Sequence, residues 1–187
     1  MRWLIVLLLG GGLGVVAAAS DAGIGLDPSP TVRVLSILAG LGTVWAGAAV
    51  LGGWLLAKAP WSVLAGPLVL VAAAIGYYAW GAMYGDQLDL GFGNLSDRAQ
   101  LWVVAGVLMG PVLGLVGGVA RTNDLAGIAA RILVPLGLAT EIVVRYPLRS
   151  AEYGLDPLLA WTSTCLLVVG VLGALIAMVS GQTSSSQ

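Results

Sequence analysis

The chain contains no histidine, a single cysteine and a single lysine, and charged residues fill only 9% of its 187 positions. Without histidine there is no imidazole to serve as a general base, a metal ligand or a pH sensor. Cys165 alone cannot form an internal disulfide. Charge this sparse excludes an ordinary soluble surface, which carries about 25% charged residues. With 59% hydrophobic residues, lipid rather than water must be the solvent for most of the exterior. A formal net charge of −1 gives no electrostatic basis for a nucleic-acid partner. No HExxH, CxxC, GxSxG or phosphate-binding glycine loop ending in Lys-Ser/Thr occurs. The sequence therefore implies no cofactor and no metal site, and catalysis has only carboxylates to build on, such as Glu141 with the loop aspartates.

What the chain has in quantity is glycine, 28 residues of it, and long apolar runs. The run over 101–120, LWVVAGVLMGPVLGLVGGVA, is uncharged and long enough to cross a bilayer as a helix. Within it Gly106, Gly110, Gly114 and Gly118 recur every fourth residue. That zipper-like spacing sets four side-chain-free positions in one row, against which another helix can pack closely. Pro111 falls mid-run, freeing the carbonyl of Val107 and predicting a kink.

Five further runs read as spans: 3–19, 31–57, 61–84, 125–146 and 157–180. The fold class is thus all-α, a polytopic membrane protein with a bundle of six transmembrane helices, or five if 3–19 is a cleaved signal peptide. Residues 1–180 form one transmembrane domain, and the polar tail 181–187 is expected to be disordered. Gly10 and Gly14 offer a packing face on the first helix, which favours its retention. The acidic, proline-containing stretch 21–30 reads as a linker, 86–98 as a polar loop, and 147–156 as a second loop. Ser96 or Asp97 reads as the N-cap of the glycine-row helix, and Asp156 before Pro157 as that of the last helix. The run 31–57 exceeds what the hydrocarbon needs, so it is expected to tilt or protrude.

Basic residues divide evenly between the two sides, Arg2, Lys58, Arg121 and Arg131 against Arg33, Arg98, Arg145 and Arg149. Because Arg2, Lys58 and Arg121 directly flank short turns, the expectation is a bacterial cytoplasmic membrane with both termini cytoplasmic.

Ionisable residues within a span are the best pointers to function, because a charge at the bilayer centre costs roughly 2.5–3.5 kcal/mol. Arg131 and Glu141 are the two candidates, about 15 Å apart along one helix, with Pro135 predicted to kink the helix between them. Each also has a structural explanation. Arg131 can snorkel to the headgroups, and Glu141 can pair with Arg145 one turn on. Tyr77, Tyr78, Trp80, Tyr84, Trp102, Tyr146, Tyr153 and Trp161 gather towards the same side as Asp86, Glu141 and Arg145. That predicts a polar site of Glu141, Arg145, Arg131, Tyr77, Tyr78 and Asp86 near the outer face, or simply a heavier aromatic belt. Trp45 fits neither belt and reads as buried packing.

GYYAW at 76–80, LWVVAGVLMGPVLGLVGGVAR at 101–121 and the acid in LATEIVVR at 138–145 are landmarks that resemble an uncharacterised family of small multi-span membrane proteins from high-GC bacteria. The resemblance implies a polytopic membrane protein and no known activity. Two functions are expected on the residues. One is transport or permeation of a small molecule or ion through the polar site. The other is an accessory subunit whose glycine faces dock a partner membrane protein or a second copy, with lipid as the common partner.

Overall fold

The computed structural model describes residues 2–24, 29–56, 60–88, 95–153 and 157–183, with the side chains at 22–24, 85–88, 95–98, 146–153, 159 and 179–183 outside the description. Among the described residues the protein is all-α. Its helices are α1 (Arg2–Ile24), α2 (Pro30–Ala39), α3 (Gly42–Leu56), α4 (Trp61–Leu88), α5 (Leu95–Val119), α6 (Leu125–Tyr153) and α7 (Pro157–Thr183). Five of them are long and apolar enough to cross a membrane, and α2 with α3 makes a sixth candidate span bent by 68°. The expected bundle is therefore present, with one change of kind: the run 31–57 is not one long tilted helix but two.

Other boundaries also move. Asp21 belongs to α1 rather than to a linker, and Ser96 and Asp97 lie inside the first turn of α5 rather than capping it. Helix α6 continues through Pro147 to Tyr153, over most of the expected loop, and α7 takes in 181–183 of the expected tail. In each case polar residues extend a helix beyond its apolar run, since nothing requires a helix to stop at the edge of the hydrocarbon. Asp156 and residues 184–187 lie outside the described residues. Pro67, Pro111 and Pro135 all sit within continuous helices, α4, α5 and α6.

Small residues decide how the helices meet. In lipid no hydrophobic force drives helix to helix, so close backbone approach must supply the contact energy. The buried core consists largely of alanine, with Val6, Leu56, Ala65 and Val69 at one end of the α1–α3–α4 contact. Gly10 and Gly14 of α1 lie on the backbone of Val69 and Ala73 of α4. The α5 row faces α4: Gly106 meets Leu70, Gly110 the backbone of Pro67, Gly114 that of Ser62, and Gly118 the Ser62 side chain. Gly53 of α3 rests on the Gly114 carbonyl, so three helices meet around Gly53, Gly66 and Gly114. A methyl group at any of these three would overlap a neighbouring backbone.

Helices α1, α3, α4 and α5 thus form a tight body, while α6 packs chiefly on α7. There Gly170 seats against Pro135 and Ala139, and Gly173 against the Pro135 ring. The pair α6–α7 meets the body lightly. Large apolar side chains such as Leu108, Val112, Leu172 and Ile176 point outward, as a lipid-facing surface requires.

Candidate functional site

A break between two helices frees backbone N–H and C=O groups, and each needs a partner. The break at Gly40–Leu41 is satisfied largely by a different helix. Glu141 of α6 accepts the Gly42 N–H through Oε1 at 2.9 Å and the Thr43 N–H through Oε2 at 2.8 Å. The Thr43 hydroxyl donates to the same Oε2. The carboxylate therefore sits on the positive end of α3, where a helix dipole favours an anion. Arg145, one turn further along α6, pairs with Glu141 through Nε at 3.2 Å and donates from Nη1 to the Gly40 carbonyl at 2.6 Å. One carboxylate and one guanidinium thus serve both sides of the break. The Glu141 side chain is 15% exposed and that of Arg145 44%, so the acid lies within the break and the base at its rim.

The remaining end of α2 is held from the body. Trp45 Nε1 donates to the Ala39 carbonyl at 2.7 Å. Ser29 caps α2, accepting the Val32 N–H ahead of Pro30 in the first turn. Asp21 at the end of α1 accepts from the Ser36 hydroxyl and the Tyr77 hydroxyl, both at 2.9 Å. Tyr77 lies edge-on to Trp45 at 6.5 Å and to Tyr78 at 5.2 Å. Helix α2 is thereby tied by polar contacts to α1 and α6, and α3 to α4 by the Trp45–Tyr77 contact.

Of the residues expected to form one site, Glu141 and Arg145 are joined. Tyr77 and Tyr78 belong to the adjacent cluster around Asp21. Arg131 stands apart: its Nη2 donates to the Thr122 carbonyl at 2.6 Å and its Nε to Gly127 at 3.2 Å, at the α5–α6 turn. Asp86 is in the last turn of α4, its side chain outside the described residues. An open groove of about 320 Å³ does occur, but towards the other end of the bundle. Gly47, Val50, Leu51, Trp54, Ala120, Ala130, Arg131 and Val134 line it, and Glu141 does not.

Gly42, Thr43, Ser36 and Asp21 escaped the sequence reading. The signal for the first two was available: a Gly-Leu-Gly-Thr stretch, 40–43, inside an apolar run too long for one span. At the α5–α6 turn, Asp124 accepts the Gly127 N–H at 2.8 Å and so caps α6. The Thr122 hydroxyl donating to Asp124, followed by that N–H, holds its carboxyl below the usual range.

Searches against protein-family models, curated proteins and solved structures return no match for this chain. The functional reading therefore rests on the geometry.

Proposed function

We propose that this chain is an integral protein of a bacterial cytoplasmic membrane, both termini cytoplasmic, that passes a small solute or ion across the bilayer. The observation that carries the reading is the insertion of Glu141 into the break of the α2–α3 span. Transport proteins place binding sites at discontinuous helices, where half-helix ends present free backbone groups. Here the donors at the start of α3 are held by a resident carboxylate from the lightly packed α6–α7 pair. Movement of that pair withdraws Glu141 and frees the Gly42 and Thr43 N–H groups and the Thr43 hydroxyl for a passing solute. Glu141 is then the gate near the outer face, and its pairing with Arg145 keeps it aimed.

The test is flux of protons and small ions into vesicles carrying the purified chain. Glu141→Gln keeps the shape but removes the charge, and should change the rate by about tenfold or more, the effect of losing about 1.4 kcal/mol of gating energy. A rate equal to wild type removes the reading. The accessory-subunit reading is weaker, because the α5 glycine row lies against α4 and a partner would need another face.

A further inference from the structure

The open groove between α3 and α6 lies towards the end of the bundle where Trp3 meets Trp61 edge-on. Its walls are apolar: Gly47 and Val50 on α3 face Val134 on α6. At its rim stand two guanidinium groups. Arg131 lines the groove itself. Arg121 lies 5.0 Å over the ring of Trp54, another lining residue, and donates to the Trp54 carbonyl at 3.0 Å. The Arg131 bonds to the Thr122 and Gly127 carbonyls hold the second group at the same turn. A guanidinium has five N–H donors, and these bonds use only part of that capacity. Asp124 lies close enough to Arg131 to attract it, and two guanidinium groups against this one acid leave the rim an excess of positive charge.

An open apolar groove ending in two arginines beside a tryptophan is complementary to a phospholipid, with the headgroup at the rim. We infer that this groove is a binding site for one anionic phospholipid, its phosphate between Arg121 and Arg131 and an acyl chain along Gly47, Val50 and Val134. The charge at the rim selects the anionic headgroup; basic pockets between membrane helices bind such lipids by the same attraction. The site is distinct from the Glu141 gate and does not depend on it.

The experiment uses the full chain reconstituted into vesicles of equal phosphatidylglycerol and phosphatidylcholine, then extracted in mild detergent. Native mass spectrometry counts the lipids that stay bound. Wild type should retain phosphatidylglycerol over phosphatidylcholine by about fivefold or more, the order expected for one guanidinium near an anionic surface. The double variant Arg121→Gln/Arg131→Gln should bring that ratio close to one. Gly47→Leu keeps both arginines but fills the groove towards Val134, and should lower the total retained lipid. An even ratio in wild type, or a ratio unchanged in the double variant, overturns the site. Should the double variant fail to insert, Gly47→Leu decides alone: loss of the bound lipid upholds the site and undiminished lipid overturns it.

Discussion

Glu141 accepts the backbone N–H of Thr43 at 2.8 Å although 98 residues separate them in the chain. The contact fixes where α3 begins, since the carboxylate replaces the carbonyls that a continuous helix would have offered to Gly42 and Thr43. A break inside a span is costly only if its groups stay unpaired; here Glu141, Arg145 and Trp45 pair them.

Removing the carboxylate should therefore destabilise the fold out of proportion to its exposure. Glu141→Leu leaves two backbone donors without acceptors, at about 1–3 kcal/mol each. Glu141→Gln retains one acceptor oxygen and should lose about half as much. Thermal or denaturant midpoints in detergent micelles measure the difference. A Glu141→Leu protein that unfolds where wild type does would contradict this.

The glycine contacts make a paired prediction. A methyl group at Gly110 meets the Pro67 backbone and one at Gly114 that of Ser62, whereas Gly12 has nothing within 4 Å. Gly110→Ala and Gly114→Ala should each cost about 1–3 kcal/mol through overpacking. Gly12→Ala should be neutral or gain about 0.5–1 kcal/mol from helix propensity. The same micelle unfolding assay separates them.

Asp21 and Tyr77 should be energetically coupled. A double-mutant cycle of Asp21→Asn and Tyr77→Phe is expected to give an interaction energy of about 0.5–3 kcal/mol, the range for residues joined by a hydrogen bond. A coupling of zero would mean that the end of α1 is held to α4 without this bond.

The α5–α6 turn carries a pH dependence whose sign is set by Asp124. Its carboxyl is held below the ordinary value near 3.9 by the Thr122 hydroxyl and the Gly127 N–H. A depressed folded-state value stabilises the turn above the unfolded value, and that stability is lost as pH falls through the folded one. Protection of residues 122–127 should be flat from pH 7 to about 5 and decline below about 4. Asp124→Asn should remove the decline. Amide exchange measured across that range checks it.

How much of this was legible follows from the range of each interaction. Spans are local, because about 20 apolar residues in a row report their own length, and the α5 row is local, because a period of four puts Gly106 to Gly118 on one side. The break at Gly40–Leu41 was not, because the groups that make it tolerable lie on α6. Nor does a backbone signal force it: Gly40 has φ −75°, open to any residue. Asp21 read as linker for the same reason, its partners being Ser36 and Tyr77. The i,i+4 pairing of Glu141 with Arg145 was visible in the sequence. That the pair spans a helix break was not, since Gly40, Gly42 and Thr43 stand about 100 residues earlier.

The most direct test is residue-resolved amide hydrogen exchange at Gly42 and Thr43 in the reconstituted protein, with and without Glu141. Slow exchange of both amides in wild type is expected, becoming fast in Glu141→Leu while the α4–α5 contact stays protected. Rapid exchange of both in wild type, or rates indifferent to the substitution, would mean that α6 does not close the break.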